Sequence, residues 1–158
     1  MYSQKQFIMN NRINLKKTNP AAFKAMLAFD EYSESTSINI VHRDLIKIRA
    51  SQLNGCAYCI DMHTKEAREH GETEQRIYAL TAWKETPFFT EEERAVLALT
   101  EEVTLIGNRV SDETYNKAAK LLDEKYIGEV LMAIIVINAW NRIGVATNLM
   151  PVLDKASA

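Results

Sequence analysis

Proline and glycine are scarce, three and five in 158 residues, and so few breakers favour long helices over a sheet with many tight turns. An excess of charge of one sign is also lacking. The formal net charge of −2 offers nothing to attract nucleic acid or an anionic membrane. No apolar run exceeds the eight residues Val130–Ile137, which is too short to cross a bilayer. Met1–Asn19 is polar, without the apolar centre of a signal peptide, so the expected location is cytoplasmic. Cysteine is almost absent: two residues, close together, make a poor framework for a secreted protein. In a reducing compartment such a pair reads as catalytic or metal-binding.

What the chain does have is one dense stretch, Asn54-Gly55-Cys56-Ala57-Tyr58-Cys59-Ile60-Asp61-Met62-His63, holding both cysteines. If Asn54 caps a helix that begins at Gly55, Cys56 and Cys59 stand at i and i+3, with His63 four residues after Cys59. All three then share one stripe, with neighbouring Cβ atoms about 5–6 Å apart. A disulfide is possible at such a spacing, since it needs Cα atoms roughly 4.4–6.8 Å apart. The start of a helix also stabilises thiolates, which by itself favours Cys56 as the more reactive thiol. A neutral imidazole one turn from Cys59 can instead take that thiol's proton. A specific acceptor within reach outweighs a dipole contribution of about 0.3–1 kcal/mol, so Cys59 is expected to attack.

Two plainer readings compete. The cysteines could be small buried hydrophobes, or Cys56, Cys59 and His63 could bind zinc. A closed zinc site wants a fourth ligand, and no second C-x-x-C exists. His42 and His70 read as ordinary surface or edge residues. Asp44 falls among the apolar positions Val41, Leu45 and Ile48. An unpaired carboxylate there would be costly, and His63 on the following helix is its expected partner.

Along the chain, residues 1–19 read as a loosely ordered arm, with an apolar contact through Phe7 and Ile8, and 20–158 as one helical domain. Asn19-Pro20 opens a helix carrying Phe23, Met26 and Leu27 inward. A second runs from Ile38 to Leu53, and the cysteine helix ends at Gly71. Thr73 caps a short helix burying Ile77, Leu80 and Trp83. Thr90-Glu91-Glu92-Glu93 is a capping box, opening a helix that buries Val96, Leu99, Val103 and Ile106. Ser111 starts the next. Ile134-Ile135-Val136-Ile137 has strand propensity, yet no other segment offers a pairing partner, so Ile127–Asn148 is expected to be a helix buried on every side. Such a face also argues for self-association.

The segment Leu45–His63, with its N-G-C-A-Y-C-I-D-M-H core, resembles the AhpD-like alkyl hydroperoxidase branch of the carboxymuconolactone decarboxylase family. Ile137-Asn138-Ala139-Trp140-Asn141-Arg142-Ile143 is a second matching stretch, and the resemblance runs from about Pro20 to Leu149. It implies an all-α, AhpD-like fold of about six to seven helices and a homo-oligomer, often a trimer or hexamer. It also implies a peroxidase in which the second cysteine, Cys59, becomes a sulfenic acid and Cys56 resolves it. The substrate would be a small hydroperoxide and the reductant an external dithiol, lipoyl-bearing or thioredoxin-like. No metal, haem or flavin is implied. The family's relay carries a glutamate twelve residues before the first cysteine, and here Asp44 stands in that place. Decarboxylation of a lactone acid, the reaction naming the wider family, is an alternative that the C-x-x-C pair counts against. A redox-responsive or zinc-binding interaction module is another. The Trp140-Asn141-Arg142 segment is expected to pack rather than to react.

Overall fold

A computed structural model describes residues 12–154. These form α1 (Leu15–Thr18), α2 (Pro20–Glu34), α3 (Ile40–Asn54), α4 (Ala57–Glu69), α5 (Glu74–Ala79), α6 (Glu91–Thr104), α7 (Asp112–Leu121) and α8 (Glu124–Thr147). Two 3₁₀ turns, Leu80–Glu85 and Ile106–Asn108, complete the order, and the described residues contain no strand. The fold is all-α, as expected. The additional helix is the single-turn α1, capped by Asn14, within the stretch expected to be an arm. Phe7 and Ile8 lie outside the described residues.

Helix starts follow the sequence closely because each has an oxygen-bearing side chain ready for the free N–H groups of the first turn. Asn19, Asn39, Thr73, Thr90, Ser111 and Asp123 each accept a backbone N–H from their own first turn. At Thr90 the box is complete, with Glu93 accepting the Thr90 N–H in return.

Helices α3 and α8 hold the centre. Ile46 and Ala50 of α3 meet Val96 and Leu99 of α6 and Val130, Ile134 and Ile137 of α8 in one cluster. Leu45 and Ile48, on the opposite side of α3, meet Leu80, Trp83 and Leu97 in a second. Because α3 is buried on both sides, it serves as a fixed post for the turn at its C-terminal end. Helix α8 is long and apolar enough to cross a membrane by length and composition. Here it packs on α2, α3, α4, α6 and α7 as the core helix. Of Val130–Ile137 only Ile135 is exposed, so most of the all-round apolar face is covered within one chain.

Three burial expectations need correction. Ile106 is 59% exposed, because α6 stops at Thr104 and the chain turns outward through a 3₁₀ step. Leu27 faces solvent, since α2 lies against one side of the molecule and uses Phe23, edge-on to Trp140, as its contact. His42 is buried rather than superficial, its Nδ1 2.8 Å from the Tyr126 hydroxyl. That hydroxyl accepts the Asn39 N–H, so its own proton is free to go to His42.

Two carboxylates tie the periphery to this core. Burial pushes the Glu101 carboxyl up, but hydrogen bonds from Lys84, Trp83 and Arg49 outweigh it and hold the group below its usual range. Glu93 is likewise held low, with bonds from Arg76 and the Thr90 N–H overcoming burial. A carboxyl whose pKa is depressed on folding stabilises above its unfolded value, and that contribution disappears as pH falls through the folded one. The melting temperature should therefore fall on acidification below about pH 4.5, the ordinary carboxyl range. The acid slope should be shallower in Glu101→Gln. Identical slopes in melts from pH 6 to 3 would deny Glu101 this role.

Candidate active site

The site is built at the turn from α3 into α4. Gly55 follows the last residue of α3 with φ of 66°, a left-handed conformation that costs glycine nothing. Its N–H bonds the Gln52 carbonyl, and the Cys56 N–H bonds that of Ser51. Gly55 thus ends α3 rather than starting α4, and α4 begins two residues later than expected, at Ala57. Cys56 is thereby the N-cap: its Sγ accepts the Cys59 N–H at 3.4 Å. Cys59 lies in the first turn. The two cysteines form a disulfide across a Cα separation of 5.3 Å, and both are buried.

Helix α8 passes beside the sulfurs at Gly144. A Cβ placed on Gly144 would come 3.0 Å from Cys56 Sγ and 3.6 Å from Cys59 Sγ. Position 144 is therefore a close approach that only glycine permits without a shift.

Buried amides lock the same helix to the end of α3. Asn54 donates both amide hydrogens, to Asn138 Oδ1 at 2.9 Å and Asn141 Oδ1 at 3.0 Å. Asn141, with no exposed surface, donates in turn to Ser51 Oγ at 2.9 Å. Asn138 also donates to Thr104 Oγ1 and accepts from Arg142. Satisfied buried amides of this kind fix relative position, because breaking one leaves its partner unpaired without water. The Trp140-Asn141-Arg142 segment has the packing role expected of it. Its consequence is that the residues just before Cys56 cannot drift from the helix that covers the sulfurs.

His63 lies one turn beyond Cys59 and is 6% exposed. Its Nδ1 stands 2.8 Å from Glu66 Oε2. Nε2 is then the nitrogen left to receive a proton. The ring makes no hydrogen bond to either sulfur in this disulfide form, where neither sulfur carries a proton or a charge.

Asp44 is buried as expected, but its partner is different. Its Oδ2 lies 2.8 Å from Nδ1 of His70, not from His63. The reason is hairpin register. Helices α3 and α4 run antiparallel from Gly55 and rise equally per residue, so position 44 comes level with about position 66 and the turn beyond it. His63 is level with Lys47 instead, and Glu66 on its own helix already occupies Nδ1. Burial raises the Asp44 pKa, against the hydrogen bond and charge of His70 and the charge of Lys47; the charge of Glu66 raises it further. A cavity of about 300 Å³ opens beside Asp44 and His70, lined also by Arg76 and Glu93 but by neither cysteine.

Sequence reasoning thus placed Cys56, Cys59 and His63 on one stretch and gave Asp44 the wrong histidine as its partner. It missed Glu66, although three residues separate it from His63 on one helical face. It missed Gly144, a glycine inside an apolar helix, which is a usual sign of close packing. Among the described residues no three His, Cys, Asp or Glu side chains converge to hold a metal ion.

The model of the carboxymuconolactone decarboxylase family matches residues 20–102. YdfG of Bacillus subtilis (strain 168), an uncharacterized protein, is 48% identical over 139 residues, which is 87% of this chain and 95% of that one. The crystal structure of ATU0492 from Agrobacterium tumefaciens, a protein of unknown function described as a candidate AhpD antioxidant defence protein, has a TM-score of 0.88 at 40% identity. It covers 91% of this chain and 100% of ATU0492. The debrominase Bmp8 shares the fold, with a TM-score of 0.78 at 20% identity over 86% of this chain and 74% of its own. With the C-x-x-C turn, the helical hairpin and these relatives in agreement, the chain belongs to the carboxymuconolactone decarboxylase family, in its AhpD-like branch.

Proposed function

We propose that this protein is a cytoplasmic thiol-dependent peroxidase that reduces alkyl hydroperoxides. The observation that carries the reading is the bonded Cys56–Cys59 pair at the start of α4, with an imidazole one turn further on. Starting from the dithiol, His63 takes the Cys59 proton and the thiolate attacks the O–O bond. Cys59 becomes a sulfenic acid, and the departing alkoxide takes a proton and leaves as the alcohol. The Cys56 thiolate, stabilised at the helix start, then attacks the sulfenic sulfur. A disulfide forms and the hydroxyl leaves as water. In sum, one hydroperoxide and two thiols give one alcohol, one water and one disulfide. An external dithiol, lipoyl-bearing or thioredoxin-like, returns the two electrons by thiol–disulfide exchange.

The burial of both sulfurs supports a preference for a small oxidant over a bulky one. Thiol titration tests the reading. The reduced protein should lose two thiols per chain on one equivalent of tert-butyl hydroperoxide and release one equivalent of alcohol. Loss of no thiols would overturn it.

A further inference from the structure

We propose that Glu66 is the positioning residue for His63, holding its Nδ1–H so that Nε2 faces the proton of Cys59, while Asp44 and His70 form a separate pair outside this step. The inference rests on the thiol-peroxidase reading and adds to it the residue that makes His63 a base.

The geometry is specific. Glu66 Oε2 is 2.8 Å from Nδ1 of His63, and His70 Nδ1 is at the same distance from Asp44 Oδ2. A carboxylate can only accept, so each contact puts the ring proton on Nδ1. Free imidazole has no such fixed tautomer, and the partner at one nitrogen decides which the other becomes. With Nδ1–H given to Glu66, Nε2 keeps its lone pair and can take a proton from a thiol. The imidazolium that results carries a charge opposite to that of Glu66, which lowers the energy of the thiolate–imidazolium state.

Burial separates His63 from bulk water far more than Glu66, whose side chain is 40% exposed. Glu66 therefore also links the buried ring to solvent. The hydrogen bond with His63 is the main reason the Glu66 carboxyl is held below its usual range, against burial. The other charged groups around this pair are Lys47 and Asp44 from α3 and His70 from the end of α4. Lys47 is also held by Glu34 on α2, so it screens Glu66 without replacing it on the ring.

Asp44 is poorly placed for the same task. It is engaged by His70, and a second contact to His63 would require its short side chain to reach across a helix turn. The cavity beside it is lined by Arg76 and Glu93 and by neither cysteine.

Two measurements test this on the full chain in a Cys56→Ser background, which leaves Cys59 as a single thiol. The first is the His63 tautomer from two-bond ¹⁵N–¹H correlation. The Nδ1–H form is expected with Glu66 present, retained in Glu66→Gln, whose amide oxygen still accepts, and lost in Glu66→Leu. The second is the pH profile of Cys59 alkylation by iodoacetamide, which needs no peroxidase activity. At pH 7 the rate should fall about tenfold in Glu66→Gln, a fraction of the 10²–10⁴ that a positioned base supplies. The profile should move to higher pH, while Asp44→Asn leaves it in place. An unchanged profile in Glu66→Gln, or the shift appearing in Asp44→Asn instead, would overturn the inference. Should Glu66→Gln shift alkylation while wild type consumes no hydroperoxide, the positioning role stands and the peroxidase reading falls.

Discussion

Cys59→Ser is expected to abolish hydroperoxide consumption, and Cys56→Ser to leave one slow turnover that ends in a sulfenic acid trappable with dimedone on Cys59. The two substitutions are similar in size and buried in the same turn, so the contrast isolates chemistry from folding. Cys59 has the base: His63 follows it by one helical turn, and its Nδ1 is already occupied by Glu66. Cys56 has the cap: its sulfur accepts the Cys59 N–H, which favours its thiolate by the helix start alone. That stabilisation suits a resolving thiol, which must be ionised when the sulfenic acid forms. It also makes Cys56 the better leaving group when an external dithiol opens the disulfide. Steric cover points the same way, since a Cβ at position 144 would stand closer to Cys56 Sγ than to Cys59 Sγ. Without the Cys59 thiolate, the attack on the O–O bond loses both its nucleophile and its base. Without Cys56 only the second step is lost. Dimedone found on Cys56 of the Cys59→Ser protein, with the reaction retained, would reverse the order.

The parts of the fold legible in the sequence were those governed by local rules. Capping residues predicted helix starts because an unsatisfied N–H has only a few possible neighbours to bond. Even the β-branched run in α8 resolved correctly, through the lack of any strand for it to pair with. Less legible was everything set by how one helix lies on another. Asp44 was rightly expected to be buried and in need of a partner. Which histidine it meets depends on the register of the α3–α4 hairpin, and that depends on where Gly55 turns the chain. His63 was the expected partner because it stands beside the cysteines, whereas the contact is made one helix turn and more beyond it, by His70. Ile106 and Leu27 followed the apolar period yet face outward, because period identifies a stripe and not the presence of something to cover it. Glu66 is a different case. Its spacing from His63 was visible, but the family resemblance supplied a rival carboxylate at position 44.

The other large effect concerns the two glycines of α8, which should respond to substitution with opposite signs. Gly128 is exposed, and a Cβ there meets nothing within 4 Å. Gly128→Ala should therefore stabilise by about 0.5–1 kcal/mol, the ordinary gain from removing glycine inside a helix. Gly144 carries the same propensity penalty, so its replacement would help equally if space allowed. It does not, because an added Cβ would stand 3.0 Å from Cys56 Sγ. That sulfur has little freedom to yield. It is bonded to Cys59, it caps α4, and the α3 end before it is tied to α8 through Asn54, Asn138 and Asn141. Overpacking a site that cannot relax costs about 1–3 kcal/mol, which exceeds the propensity gain. Gly144→Val, larger still, should lower the melting temperature by several degrees, on the scale of about 2–4 °C per kcal/mol for a domain of this size. If the sulfur is the obstacle, removing it should relieve the strain. A double-mutant cycle of Gly144→Ala with Cys56→Ala measures this, and residues in contact typically couple by about 0.5–3 kcal/mol. Additive effects in that cycle, or a Gly144→Ala protein stabilised as much as Gly128→Ala, would show that α8 does not bear on the disulfide. The expected result is a positive coupling, with peroxide turnover slowed in Gly144→Ala and unchanged in Gly128→Ala.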